Sequence, residues 1–326
     1  MEEKAKKLST ESYKGVRDFY PEDMAVQNYI FSTWRKIVEE SGYVEYSASI
    51  LEYADLYRSK GSDEIVNEQM YTFTDKGDRE VALRPEMTPS LARMIAAKRR
   101  GLKLPLRWYS IPNVFRYERP QRGRRREHWQ LNCDLMGIAG IEAEVEIISL
   151  AHKIMTAFGA KDEDFEIRIN SRKTMFEVYQ PILKDLSQWT EVCRFLDRRP
   201  KMTEEEQKLG NEKYFTRPFN EEDAKKHHNN PSLIKLGETL KSQGVKNVVH
   251  DMHLMRGFDY YTDIVFEVFD TNPENKRSLF GGGRYDNLLE MFGVEPVATV
   301  GFGMGDITIH DFLETHKLPL STSKKS

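Results

Sequence analysis

The stretch from Phe115 to Gly137, FRYERPQRGRRREHWQLNCDLMG, constrains this chain more than any other. It reads as strand, basic loop, strand. Val114, Phe115 and Tyr117 favour extended backbone, whereas Pro120, Gln121, Arg122 and Gly123 break it and reverse the chain. Side chains alternate along a strand, so Arg116 and Glu118 are expected on one face, and Gln130, Asn132 and Asp134 on one face of the returning strand. The loop between them holds Arg119, Arg122, Arg124, Arg125 and Arg126, a density of positive charge that suits phosphate groups. Taken alone, the same run also fits a charged hairpin on a solvated surface.

Composition narrows the classes without choosing among them. Lys+Arg at 49 nearly balances Asp+Glu at 52, so contact with nucleic acid has to come from local clusters such as this loop. A 326-residue chain with 39% hydrophobic residues supports one large domain or two. The two cysteines, Cys133 and Cys193, are too few for a disulfide framework or a Cys-rich zinc site, and they suit a reducing compartment. The opening MEEKAKKLST has no apolar signal region, and no uncharged apolar run is long enough to span a bilayer. The expected location is the cytoplasm, away from any membrane.

Along the chain, Met24, Tyr29, Ile30, Phe31, Trp34, Ile37 and Val38 recur at helical spacing between Pro21 and Ser41-Gly42. Tyr43 to Glu52 reads as extended, and MYTFTDKGDREVALRP as a hairpin turning at Asp75 to Asp78 that delivers Arg84, Pro85 and Glu86 to a strand end. Thr88-Pro89 is expected to open a helix with the Thr88 hydroxyl as its cap, and Lys98, Arg99 and Arg100 suit that helix's negative C-terminal end. EAEVEIISLAHKIMTAFG reads as a helix and DFEIRIN as a strand. From Ser171 to about Val245 long polar stretches interrupt modest apolar patches, the texture of a small helical insertion. Its His227 and His228 have no third partner at zinc spacing and are expected on an exposed loop, so no metal site is predicted. VKNVVHDMHLMRGFDYYTDIVFEVFD alternates like two strands around a turn at Arg256 and Gly257. VATVGFGMGDITIHDFLETH is a strand running through glycines into a helix, and its GFGMGD matches neither a dinucleotide fingerprint nor a phosphate loop. STSKKS reads as a frayed tail.

These stretches carry a resemblance. KGVRDFYPED, ALRPEMT, FRYERPQRGRRRE, RGFDYYTDIVFEV and GGGRYDNLLEMFG are similar, in order, to segments of the histidyl-tRNA synthetases, a family of class II aminoacyl-tRNA synthetases. RGFDYY resembles that family's histidine-recognition signature. The resemblance implies an α+β catalytic domain, an antiparallel sheet of six or seven strands flanked by helices. Residues 1–170 and 246–326 would form it, with 171–245 as a small helical insertion and no anticodon-binding domain. It implies a homodimer, with L-histidine, ATP, Mg²⁺ and tRNA(His) as the molecules handled. By similarity, Arg116 holds the α-phosphate and the attacking carboxylate, and Arg256 supplies a second cation from the other side. Glu118, Arg124 and His128 contact ATP. Glu86, Thr88 and Gln130 take the substrate's α-ammonium, and Asp134 with Tyr260 and Tyr261 holds its imidazole. Because Tyr260 and Tyr261 are adjacent in what reads as a strand, only one is expected to face the substrate. Arg122 and Arg125 are assigned to tRNA. Glu118 also fits a plain ion pair with Arg119 or Arg124, and Arg284 with Asp286 fits a structural cap.

The sequence departs from the family at Ser49, where a proline is usual; at His128, where a phenylalanine stacks on adenine; and at Thr308, where an arginine clamps ATP. Arg124 or Arg119 is expected to offset the last. These departures, with the absent C-terminal domain, admit a reading of a different class: the non-catalytic, histidine-binding regulatory subunit of ATP phosphoribosyltransferase.

Overall fold

The computed structural model describes residues 8–59, 64–199, 202–256, 260–275 and 277–321. In chain order, α1 (Pro21–Glu40) is followed by β1 (Val44–Glu45), β2 (Leu51–Tyr53), α2 (Ala54–Arg58), β3 (Tyr71–Thr74), β4 (Glu80–Leu83) and α3 (Thr88–Lys98). Next come β5 (Leu106–Ser110), β6 (Asn113–Phe115), β7 (Glu127–Met136), α4 (Glu142–Ala157) and β8 (Phe165–Ser171). Helices α5 (Arg172–Tyr179), α6 (Trp189–Arg198), α7 (Glu204–Tyr214), α8 (Glu221–His228) and α9 (Pro231–Ser242) precede β9 (Val248–His250), β10 (Ile264–Asp270), β11 (Ser278–Arg284), β12 (Thr299–Gly305) and α10 (Asp306–Thr315).

The large sheet runs β1-β5-β7-β12-β11-β10-β8-β9, with β6 continuing the antiparallel pairing along β7. Its six central strands are antiparallel, and only the edge pairs β1/β5 and β8/β9 are parallel. Strand β7 shows why the sheet is two-sided. Leu131, Cys133 and Leu135 are fully buried and belong to the main apolar cluster with Ile30 and Trp34 of α1, Ile147 and Ile154 of α4 and Phe312 of α10. The intervening Gln130, Asn132 and Asp134 point to the other face. One strand thus anchors the helical layer and supplies the polar floor. A smaller sheet, β2-β4-β3, stands beside it, its β3–β4 turn closed by Asp75, which accepts from the Gly77 and Arg79 amides at 2.8 and 3.0 Å.

Three local expectations need correcting. Thr88 is the first helical residue and not the cap; Met87 holds the cap position and makes no side-chain cap bond, so the Thr88 hydroxyl is left for the site. β9 and β10 do not form a hairpin, because β8 lies between them and pairs with both. Before β10, Arg256 adopts φ +53°, unusual for a side-chain-bearing residue. Gly257, the other expected turn residue, lies outside the described residues, as do the 322–326 part of the tail and the first seven residues. His227 is not on a loop: it lies in the last turn of α8, fully buried, with Nε2 2.6 Å from Asn170 Oδ1. Burial holds its imidazole down at about 4, and Asn170 in turn donates to the Leu254 carbonyl at 2.7 Å, two residues before Arg256.

Along α5 to α7, Met175, Tyr179, Val192, Phe195 and Tyr214, with Phe215 and Met255, form an apolar cluster separate from the main one. Leu233, Leu236 and Leu240 of α9 join the main cluster instead.

Candidate active site

A recess of about 420 Å³, counting its open mouth, lies on the polar face of β7, β12 and β11. Glu86, Thr88, Arg116, Gln130, Asn132, Asp134, Arg256, Tyr260, Tyr261 and Tyr285 all line it. These residues come from stretches up to about 200 positions apart in the sequence, from Glu86 to Tyr285.

Glycines make the convergence possible. A Cβ on Gly301 would lie 2.5 Å from Asp134 Oδ1, and one on Gly303 would lie 2.7 Å from Gln130 Nε2. Gly281 faces Glu267 across the β10/β11 ladder, and a Cβ there would collide with the Arg256 guanidinium. The glycines of β11 and β12 are thus the space into which neighbouring functional side chains fold. Arg256 uses that space to donate from Nη1 to Glu267 Oε1 at 2.9 Å, with its guanidinium 5.6 Å from the Tyr261 ring centre. Its buried Nε–H has no partner among the described residues. On the other side Arg116 is fixed by an Nε–H bond to the Pro85 carbonyl at 2.9 Å.

The carboxylates are buried unusually deeply. Burial pushes Glu86 up to about 7, against the pull of the Arg116 charge and a Tyr260 hydrogen bond, and Glu86 Oε1 has no hydrogen-bond partner among the described residues. Burial also pushes Asp134 up to about 7, although the Tyr285 hydroxyl donates to its Oδ1. An acceptor kept dry and unpartnered is poised for a cationic or N–H-bearing ligand. Tyr260 and Tyr261 both line the recess. They stand in the loop before β10, not in a strand, so alternation does not separate them. Tyr260 also bonds Thr88.

Around the mouth, His128 is half-buried on β7; burial, then the charges of Arg116 and Arg17, push its imidazole down to about 3, so the ring is neutral near pH 7. Arg124 Nε stands 3.5 Å from Glu118 Oε2, the ion pair that the plainer reading of Glu118 anticipated. The arginine run itself is largely engaged. Arg126 is buried, 3.8 Å over the Tyr117 ring, and donates to Tyr13 Oη at 3.0 Å. Arg122 donates to Thr315 Oγ1 at 3.1 Å and lies 3.6 Å from Asp311 of α10. Asp311, His310 and Glu314 form the one cluster of metal-ligand type among the described residues. Arg119 and Arg125 are exposed with no ion pair among the described residues. Ser49 is exposed and its Oγ accepts from the Leu51 amide at 3.2 Å, and the Thr308 hydroxyl is turned to the Leu279 carbonyl at 2.7 Å. Arg284 is structural: it forks onto Glu144 of α4 at 2.5 and 2.7 Å.

Sequence reading missed Tyr285 and Glu267 and gave Asn132 no role. The signal for Tyr285 was alternation: with Arg284 committed to α4 on one face, its neighbour turns to the other. Glu267 had no local signal, since its partner Arg256 reaches it from outside the strand.

A mainly antiparallel sheet whose polar face gathers two arginines over buried carboxylates is the catalytic architecture of the class II aminoacyl-tRNA synthetases. Comparison with known proteins sharpens this. A profile described as Histidyl-tRNA synthetase matches residues 15–199 and 183–305. The histidine–tRNA ligase of Leptospira biflexa is 46% identical over 97% of this chain and 76% of its own length. That of Thermoplasma volcanium is 39% identical over 98% and 78%. Among solved structures, apo histidyl-tRNA synthetase of S. aureus aligns with TM-score 0.71 at 25% identity, covering 95% of this chain and 75% of that one. The chain belongs to the histidyl-tRNA synthetase family, and it spans about three quarters of the length of those ligases.

Proposed function

We propose that the recess activates L-histidine with ATP and passes the histidyl group to the 3′ end of tRNA(His). The chain is a histidine–tRNA ligase, an aminoacyl-tRNA synthetase. What carries the assignment of roles is the single recess in which Arg116 and Arg256 face two buried carboxylates. In the first step a carboxylate oxygen of histidine attacks the α-phosphorus, a new C–O–P link forms, the P–O bond to the β-phosphate breaks and pyrophosphate departs. Two anions must meet while charge builds on the phosphoryl oxygens. Arg116 and Arg256 supply the opposing charge, already oriented by Pro85 and Glu267. Glu86, Thr88 and Gln130 hold the α-ammonium. Asp134, fixed by Tyr285, and the Tyr260/Tyr261 pair hold the imidazole; a pocket that bonds ring nitrogens rejects amino acids lacking them by roughly 10⁴.

ATP lies over His128, whose neutral ring stacks on adenine, with Arg124 and Glu118 at its phosphates. Glu118 Oε2 is buried and, beyond its ion pair with Arg124, has no hydrogen bond among the described residues, so this oxygen would suit the Mg²⁺ accompanying ATP. The ion supplies charge neutralisation at the phosphates. Exposed Arg125, with Arg122 beside it at the loop tip, faces the tRNA acceptor end. Residues 1–170 and 246–326 are the catalytic domain and 171–245 the insertion. A second copy covers the exposed apolar side chains Val44, Ile50, Leu51, Tyr53 and Phe73 of the β1–β3 region, giving a homodimer, and the protein works in the cytoplasm. No helix among the described residues is long and apolar enough to cross a membrane.

Histidine-dependent exchange of labelled pyrophosphate into ATP tests the reading directly. A chain that binds histidine yet exchanges nothing with ATP, Mg²⁺ and tRNA present is the regulatory subunit and not the ligase.

A further inference from the structure

The segment leading into α1 brings one more guanidinium to the β12–α10 junction, beside β7. Arg17 Nη2 lies 2.7 Å from Asp306 Oδ2, and Asp306, 1% exposed, is the first residue of α10. The same carboxylate accepts from Gln27 Nε2 at 3.1 Å and from the Trp129 amide at 2.9 Å, so it ties the chain start, α1 and β7 to the β12–α10 junction. The Arg17 guanidinium also lies 4.8 Å over Phe19, which meets Trp129 edge-on at 5.4 Å. Held on two sides in this way, the guanidinium has one orientation.

Its bonding is nonetheless incomplete. Arg17 Nε–H is buried and has no partner among the described residues, while 26% of the side chain remains accessible. The Trp129 amide on Asp306 sets Arg17 beside β7 next to His128, whose imidazole feels the charges of both Arg116 and Arg17. Such a pair attracts an anion. Of the cations expected from sequence to offset Thr308, Arg124 shares its charge with Glu118 and Arg119 is exposed, while the side chain of Thr308, two residues beyond Asp306, is turned to backbone.

We propose that Arg17, aimed by Asp306, is a nucleotide-binding residue that contacts the phosphate tail of ATP opposite Arg116. The inference rests on ATP being the substrate, as proposed above. It assigns the charge that Thr308 lacks to a residue some 290 positions earlier, brought alongside by a buried ion pair.

The test is titration of the whole chain with ATP and with AMP by calorimetry, together with KM for ATP and for histidine in pyrophosphate exchange. Arg17→Ala alone leaves Asp306 buried without its counter-ion, so Arg17→Ala/Asp306→Asn is the decisive variant, with melting temperature as the check on folding. Its ATP affinity should fall roughly tenfold to hundredfold, the loss expected for one charged contact. AMP affinity and histidine KM should stay within about threefold on the same scale. Arg17→Lys should lie between, and adding Thr308→Arg to the double variant should recover part of the ATP affinity. Unchanged ATP affinity in a folded double variant, or equal losses for ATP and AMP, overturns the assignment while leaving the ligase reading intact. A parent chain that binds no ATP at all overturns both.

Discussion

The floor of the recess and the arginine loop looked equally eventful in sequence, yet the fold treats them in opposite ways. On the floor, few charges are present and nearly all are buried, oriented and turned inward: Glu86 and Asp134 are both raised to about 7, and Arg256 is set over Gly281. In the loop, charge is abundant but much of it is internally engaged, with Arg126 stacked on Tyr117, Arg124 facing Glu118 and Arg122 docked on α10. Density of charge along a chain is therefore a poor guide to free charge. Burial is the better guide, because a desolvated polar group retains its full demand for a partner.

The sharpest way to break this contrast is Arg256→Ala. Adenylate formation should fall by roughly 10² or more while histidine binding stays within about tenfold, because the charge is needed most in the transition state. Calorimetry with histidine and pyrophosphate release on the same proteins report the two quantities; a parallel loss in both makes Arg256 a ground-state anchor instead. Next, Gly301→Ala should lower histidine affinity about tenfold or more and stability by about 1–3 kcal/mol, since the added methyl meets Asp134, Tyr285 and the Cys133 carbonyl. Full activity in that variant would show that the floor tolerates displacement.

Glu86→Gln separates function from stability. The folded carboxyl is raised from 4.5 to about 7, so it binds its proton more tightly than in the unfolded chain. The stability it contributes is therefore present below about 4.5 and lost as pH rises through about 7. Glu86→Gln should melt a few degrees higher than the parent at pH 8, match it at pH 4.5, and bind histidine about tenfold more weakly at the higher pH. Melting curves that shift equally at both values would remove Glu86 ionisation as the cause.

The loop should respond least. Arg126→Ala removes a buried stacked guanidinium and should cost about 1–2 kcal/mol of stability, whereas Arg125→Ala should stay within about 0.5 kcal/mol. Arg125→Ala should instead flatten the salt dependence of tRNA binding by up to about one unit of slope. An unchanged slope would leave the loop without a role at tRNA.

Local pattern alone determined a good deal. Period two placed Gln130, Asn132 and Asp134 on one face of β7, period near 3.6 marked α1 and α4, and Asp75 to Asp78 announced the β3–β4 turn, because each depends only on neighbours in the chain. The ordered segments likewise pointed to the family and to most of the recess. Only the tertiary structure decided which like-looking charges were committed. It inserted β8 between β9 and β10, buried His227 within a polar-looking helix, and paired Arg17 with Asp306 and Arg256 with Glu267. The reason is that an ion pair or an orphaned donor is a property of two positions and the dielectric between them, and a one-dimensional pattern carries neither distance nor burial.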